Sequence, residues 1–435
     1  ASLPAQVARM GWDRGKIRAH QADRLSALLA HAAEHSPFHR DRLAGLDLAA
    51  VGPEDLSALP VMDKTDLMDR FDDVLTDRRI TLAGVEAALA AAGEVPVTLP
   101  GPAMAFSSGG SSGRRGVFLH DVPASLQFVG SITRGLFARI QATGAPPGGL
   151  PIAIVAAASP VHASGMAAPM TACRTLPFHF LAVPATLPLA EIVHRLDELR
   201  APLLFGYPSM LAQLAGRIRH TPSLVISTSE TLDPVQREVI RTGFGVPVID
   251  SFASTEGLIG GAAPDQDVLT FAEDGCIVEL VDEHDRPVPP GSPSAAVLIT
   301  VLENLLQPLI RYRLTDSFTR VSPDADGHLQ ARVVGRCDEP LHFGQTPVHP
   351  LALRTVLVHT PDVLDYRVEQ TGRGIAVDLV TREGRLDTTR LRSELGAALA
   401  AAGVPDADVA LREVPALTRA GDTGKLRRFV PLARV

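Results

Sequence analysis

The chain has 435 residues, 46% of them hydrophobic, which is too long for one ordinary core and predicts two or three folded units without a long disordered stretch. A formal net charge of -8 and a pI near 6.0 argue against a nucleic-acid-binding surface, which needs clustered Lys and Arg to neutralise phosphates, and point to a small-molecule partner. Cys173, Cys276 and Cys337 form no C-x-x-C pair, so neither a disulfide framework nor a structural zinc site is expected and a reducing, cytoplasmic setting fits. No apolar run approaches the ~20 residues of a membrane span, and the N-terminus shows no signal-peptide core.

Within residues 17–45, Ile17, Leu25, Leu28, Leu29, Ala32 and Phe38 recur at helical spacing and predict an amphipathic helix that ends at Ser36-Pro37, with a second short helix after it. From Ala103 onward strand-like and helix-like segments alternate: a glycine-rich loop, a helix near 122–142, an apolar strand over 151–158, then helices near 189–200, 207–218 and 233–242 interleaved with strands over 202–206, 224–228 and 247–250. This alternation predicts an α/β unit on a mainly parallel sheet, with ligand-binding loops beyond the carboxyl ends of its strands. From about 268 to 334 the segments become short and turn-punctuated, as in 276–281, 295–302 and 309–313, and predict a small antiparallel sheet or barrel. After Gly335-Arg336-Cys337-Asp338-Glu339 the chain enters a separate block that reads as a small α+β unit. Its strands are expected over 364–370, 375–379 and near 409–414, and its helices over 350–358 and 387–402.

The stretch Ser107-Ser108-Gly109-Gly110-Ser111-Ser112-Gly113-Arg114-Arg115-Gly116 has the make-up of a phosphate loop. Glycines let backbone N–H groups approach a ligand, serine hydroxyls add donors, and arginines add charge. It is neither a Walker A loop nor a dinucleotide fingerprint, since neither spacing is met. A flexible Gly/Ser linker is the alternative, and the arginine pair and the apolar run after it argue against that. Lysine occurs only at Lys16, Lys64 and Lys425, and Lys425 sits in a polar, glycine-bearing segment, 418–428, unsuited to a core.

Further motifs follow in order. Ser159-Pro160-Val161-His162-Ala163-Ser164-Gly165 succeeds an apolar strand, Phe205-Gly206-Tyr207-Pro208-Ser209 opens a helix, and Ser227-Thr228-Ser229-Glu230-Thr231-Leu232 closes the next strand. Phe252-Ala253-Ser254-Thr255-Glu256-Gly257, Arg311-Tyr312-Arg313-Leu314-Thr315-Asp316, Gly335-Arg336-Cys337-Asp338-Glu339 and Gly424-Lys425 come after them. With the glycine loop, this series resembles the motif order of the adenylate-forming superfamily, which includes acyl-CoA synthetases, peptide-synthetase adenylation domains and luciferases. The text from Ser36-Pro37-Phe38 to Leu59-Pro60-Val61-Met62-Asp63-Lys64-Thr65-Asp66-Leu67 resembles its phenylacetate-CoA ligase branch in particular. The resemblance covers nearly the whole chain, and its weight lies in the ordered sum.

The resemblance implies a large N-terminal domain, 1–337, that binds ATP and acid, and a small mobile C-terminal domain, 338–435, hinged at Asp338 and carrying the catalytic Lys425. It implies an AMP-forming acid–thiol ligase that uses ATP and Mg²⁺ on a small aryl or acyl acid, with CoA as first-choice acceptor. A carrier-protein thiol or an amine is the alternative acceptor, and a non-catalytic nucleotide-binding relative the alternative class. No nucleic acid or membrane partner is implied, and a homodimer is left open. Ser108, Gly110, Ser111, Ser112, Gly113 and Arg114 take the phosphate-loop positions, Ser229, Glu230, Phe252, Ser254, Thr255, Asp316 and Arg336 the ATP and AMP positions, and His162, Tyr207, Thr228 and Gly257 the substrate pocket. Glu256 would hold Mg²⁺ through a hard carboxylate oxygen, Asp316 would accept from ribose hydroxyls, and Lys425 would contact carboxylate and α-phosphate. The bland readings are a solvated loop carboxylate for Glu256, a turn cap for Asp316, a surface charge for Lys425 and a hydrogen-bonded structural residue for His162. The chain departs from the family at Arg114 in place of lysine, a planar fork rather than a point charge, at Phe252-Ala253 in place of Tyr-Gly, and after Glu339, where Gly344 alone fits the thioester-forming tunnel.

Overall fold

The computed structural model describes the chain except for residues 1, 92–97, 100–102, 109–115, 144–148, 157–177, 322–325, 337–340, 345, 349, 359, 361, 382–385, 420–425 and 433–435. After a short first helix, Leu3–Arg9, the helix Arg14–His35 starts where Asp13 accepts a hydrogen bond from the Lys16 amide at 2.8 Å and buries Ile17, Gln21, Leu25, Leu28, Leu29 and Ala32 on one stripe, the periodicity of an amphipathic helix. Ser36 ends it and caps the next helix, Pro37–Arg42, whose first position is proline, a residue that costs nothing where no N–H partner exists.

A nine-stranded mixed sheet forms the centre, in the order Asp316–Arg320, Gln330–Arg336, Val268–Phe271, Ile259–Ala262, Val248–Ala253, Leu224–Thr228, Leu203–Gly206, Leu150–Ala156, Phe178–Pro184. The last five are parallel, and both their faces are covered. Ala153, Val155, Leu204 and Val225 pack with the helices Leu189–Leu199, Pro208–Leu214 and Pro234–Phe244 on one side. Ile152, Phe178, Phe180, Leu203, Leu224 and Ile226 pack with Ile140 of the helix Val122–Thr143 on the other. That double burial is why these strands read as apolar runs rather than alternating ones. After Leu150–Ala156 the chain adds Phe178–Pro184 on one side and then Leu203–Gly206 on the other, a topological switch point, where ligands of open α/β sheets bind beyond the carboxyl ends. Tyr207 stands there, fully buried, as the N-cap of Pro208–Leu214.

The expected small antiparallel sheet over 268–334 is divided in two. Cys276–Val281, Ala296–Val301 and Tyr312–Leu314 make a three-stranded antiparallel sheet, whereas Val268–Phe271, Asp316–Arg320 and Gln330–Arg336 extend the central sheet. Alternation in sequence reports a half-buried strand and not its partner. The helix expected to 218 stops at Leu214, because Ala215 turns extended and Gly216 takes φ +72°.

Ahead of the central sheet, Ala103–Ser108 and Gly116–His120 pair as antiparallel strands with Ser108 opposite Gly116, so the glycine loop joins two adjacent strands. All five residues of Gly116–His120 are buried. Its free edge meets side chains instead of another strand: Gln307 Oε1 accepts from the Leu119 amide at 2.9 Å, Gln307 Nε2 donates to the Val117 carbonyl at 3.3 Å, and Asn304 Nδ2 donates to the Leu119 carbonyl at 2.7 Å.

Toward the C-terminus a four-stranded sheet in the order Asp408–Glu413, Gly374–Thr381, Val363–Gln370, Phe429–Val430 packs with the helices Pro350–Val358 and Thr388–Ala401 around its own apolar cluster, which includes Leu353, Val368, Val377, Leu391, Leu395 and Phe429. Where this part meets the central sheet, Gly335 has φ +148°, and a Cβ there would lie 3.0 Å from Arg354 Nη1. The Arg354 guanidinium donates to the Val334 carbonyl at 2.9 Å. The position therefore suits glycine on both backbone and space.

Candidate active site

The first cluster gathers two of the sequence motifs and the strand that follows the glycine loop. The turn 254–258 closes on itself: the Gly257 amide donates to the Ser254 carbonyl at 3.1 Å, and the Leu258 amide to Ser254 Oγ at 3.1 Å. Gly257 takes φ +118° against the Val301 side chain, so the turn presents Thr255 and Glu256 just past the carboxyl end of Val248–Ala253. From the strand that leaves the glycine loop, His120 reaches this turn. Its Nε2 lies 3.1 Å from the Thr255 carbonyl, and since a carbonyl only accepts, Nε2 carries the proton. Burial lowers the His120 pKa to about 4 despite that bond, so the ring is neutral at ordinary pH. Its Nδ1 has no partner among the described residues. Edge-on ring contacts tie the same segments together: Phe118 to Tyr312 at 6.0 Å and Phe252 to Phe318 at 5.2 Å.

Tyr312 is buried, and its phenol pKa is pushed up by burial first and then by the nearby charge of Glu256. The other residues of that motif brace it. Arg311 adopts φ +48° with its guanidinium buried, bonded to Glu279 at 2.9 and 3.1 Å and to the Leu59 carbonyl at 2.8 Å. Its own amide donates to Thr300 Oγ1 at 3.0 Å. Arg313 pairs with Asp285. Asp316 begins its strand opposite Arg336, two residues before Phe318.

The second cluster lies one strand over. Thr228 pairs with Ser251, next to Phe252, and Ser229 follows with φ +67°. Glu230 then turns back: Oε2 accepts from Ser209 Oγ at 2.5 Å and from the Ser209 amide at 3.3 Å, while Oε1 accepts from the Leu426 amide at 2.7 Å. Arg419 approaches the same carboxylate at 3.8 Å. Asp233 caps the helix Pro234–Phe244 by accepting from the Gln236 amide at 2.8 Å and faces Arg428 at 3.8 Å. Arg428 also bonds Asp365 at 2.5 Å and lies over the Tyr366 ring at 4.8 Å. Half-buried within the strand Val248–Ala253, Asp250 has its pKa raised to about 6 by desolvation, which Arg237 partly offsets.

The structure thus brings Thr228, Ser229, Phe252, Ser254, Thr255, Glu256, Gly257 and Asp316 into one region, with Tyr207 at the switch point. Ser108 and Arg336 are described through their backbone pairing. Gly110, Ser111, Ser112, Gly113, Arg114, His162, Asp338 and Lys425 lie outside the described residues. His120 and the Glu230–Leu426 contact were not anticipated from sequence. A histidine ending the strand after a phosphate-type loop is a usable signal for the first, whereas the second spans 196 positions and leaves no local trace. Among the described residues no three His, Cys, Asp or Glu gather as a metal site. No helix among the described residues is long and apolar enough to cross a membrane.

No family model matches the chain. Two curated proteins are similar over most of their length: phenylacetate-coenzyme A ligase of Thermus thermophilus, 25% identical over 88% of this chain and 82% of its own, and phenylacetate-coenzyme A ligase of Aromatoleum evansii, 22% identical over 87% and 82%. Among solved structures, 2-hydroxyisobutyryl-CoA ligase with an acyl-AMP bound, in its postadenylation state, superposes with a TM-score of 0.70 at 20% identity, covering 98% of this chain and 91% of that one.

Proposed function

We propose that this chain, a member of the adenylate-forming superfamily, activates a small carboxylic acid with ATP and passes the acyl group to a thiol, with coenzyme A as the acceptor. The observation that carries the reading is the convergence of two motif segments, 252–257 and 311–316, with the strand Gly116–His120 that follows the glycine loop and with Phe318, through the His120–Thr255 bond and the Phe118–Tyr312 and Phe252–Phe318 contacts. The acyl-AMP and CoA bound in the similar structures belong to those proteins and support it.

In the first half-reaction a carboxylate oxygen attacks the α-phosphate of ATP and pyrophosphate leaves in line. The protein's contribution is positioning and charge. Glu256, on its tied turn, is the group that would hold Mg²⁺, which when bound neutralises phosphate oxygens. Asp316 accepts from the ribose hydroxyls, Phe252 stacks on adenine, and the glycine loop with Arg114 cradles the outer phosphates. Thr228, Tyr207, Gly257 and His162 line the acid. Lys425 adds charge where the carboxylate meets the α-phosphate. In the second half-reaction the thiolate sulfur attacks the acyl carbon and AMP leaves with its electron pair. Residues 338–435 act as a mobile domain that turns about Asp338 between the two steps, withdrawing Lys425 and bringing Gly344 to the site.

ATP–pyrophosphate exchange over a panel of aryl and short acyl acids tests the reading: at least one acid supports exchange, and silence across the panel overturns it. Release of AMP that depends on coenzyme A identifies the acceptor. Lys425→Ala abolishes exchange while ATP still binds; exchange that survives the change removes Lys425 from the chemistry.

A further inference from the structure

We propose that Glu230 is a positioning residue that latches the lysine-bearing C-terminal segment onto the large domain for adenylation, a role that rests on the acid-activation reading above. Three observations carry it. First, Leu426 directly follows Lys425, and its backbone amide donates to Glu230 Oε1 at 2.7 Å, so the bond fixes the main chain one residue from the lysine. Second, the other carboxylate oxygen accepts from both the hydroxyl and the amide of Ser209 at the start of Pro208–Leu214. The Glu230 side chain is therefore held from behind by the large domain and holds the C-terminal segment in front. Third, the charges at the joint are complementary. Glu230 and Asp233 on the large domain face Arg419 and Arg428 on the C-terminal part, and Arg428 is itself secured by Asp365 and the Tyr366 ring.

Among the described residues a single hydrogen bond from the large domain reaches the Leu426 amide, while Arg419 and Arg428 lie 3.8 Å from Glu230 and Asp233. The joint is thus specific in direction. Glu230 is one residue past the positive-φ Ser229, which turns its side chain away from the line of the strand Leu224–Thr228 and toward the C-terminal part.

The test uses the full chain with Glu230→Ala and Glu230→Gln, the second keeping an acceptor oxygen in place. In hydrogen exchange without substrates, the peptide covering Leu426 exchanges at least tenfold faster in Glu230→Ala than in the unmodified protein, while the peptide of strand Leu224–Thr228 keeps its protection, and Glu230→Gln falls between. In the adenylation half-reaction, Glu230→Ala lowers kcat at least tenfold with a smaller change in the KM for ATP, and Glu230→Gln recovers part of the loss. Unchanged exchange at Leu426, or a loss that falls on the KM for ATP with kcat unchanged, overturns the latch. If the unmodified protein adenylates no acid, the functional reading fails while the exchange comparison still decides whether Glu230 holds the segment.

Discussion

At the scale of single residues, His120 shows how a buried polar group is spent on alignment. A neutral imidazole donating to the Thr255 carbonyl fixes the residue beside Glu256 without adding charge, whereas a protonated ring so deep would carry a desolvation penalty. His120→Ala frees that carbonyl and is expected to lower ATP–pyrophosphate exchange by about 10- to 100-fold, as losses of ligand-orienting partners do, with a higher Mg²⁺ concentration needed for half-maximal rate. His120→Gln, whose amide N–H reaches the same carbonyl, restores most of the rate. Equal losses in both variants with an unchanged Mg²⁺ requirement would show that the ring only fills space.

At the scale of elements, Arg311 illustrates a motif residue whose contacts are structural. Its buried pair with Glu279 crosses from the turn before Tyr312–Leu314 to the strand Cys276–Val281 and holds the Leu59 carbonyl as well. Arg311→Met strands the Glu279 carboxylate and is expected to cost about 3–5 kcal/mol, read from urea midpoints. Arg311→Met with Glu279→Leu recovers most of that, and a double variant no better than the single would locate the cost elsewhere, in the +48° backbone. The parallel strands were legible because burial on both faces writes unbroken apolar runs such as Leu150–Ala156 and Leu224–Thr228, and so were two helix boundaries, because Ser36 and Asp233 are capping residues followed by proline. Strand partners were not, since Val268–Phe271 and Cys276–Val281 carry the same alternation yet join different sheets. Within the site, motif residues stood out by type and order. The bonds that aim them, His120 to Thr255 and Glu230 to Leu426, are tertiary and invisible to local pattern.

Across the whole molecule, buried titratable groups set how stability follows pH. His39, bonded to the Pro308 carbonyl at 2.9 Å, has its pKa lowered by burial to about 3, and His120 to about 4, both from 6.5. For each, the unfolded chain binds the proton more readily, so the stabilisation is complete above pH 6.5 and is lost as pH falls toward the folded value, on the order of 3 kcal/mol apiece by pH 4. Asp250, raised to about 6 from 3.8, works the other way: its stabilisation is complete below 3.8 and lost as pH rises through 6. Denaturation midpoints should therefore rise between pH 4 and 6.5, less steeply in His120→Gln and more steeply in Asp250→Asn. Slopes unaltered by either change would remove these groups from the balance.

The amide side chains of Gln307 and Asn304 along the strand Gly116–His120 bear on the protein's behaviour in concentrated solution. An outermost strand with open N–H and C=O groups is a template on which another chain adds itself, and here all five residues of that strand are buried, Val117, Phe118 and Leu119 among them. By occupying the Leu119 and Val117 backbone groups, the two amides act as a surrogate strand that cannot propagate. Gln307→Leu, close in size but without donor or acceptor, should leave a protein that light scattering shows associating as its concentration rises, while the unmodified chain at the same concentration does not. Aggregation resistance in this fold then depends on two side chains beside the loop that the sequence first singled out for phosphate.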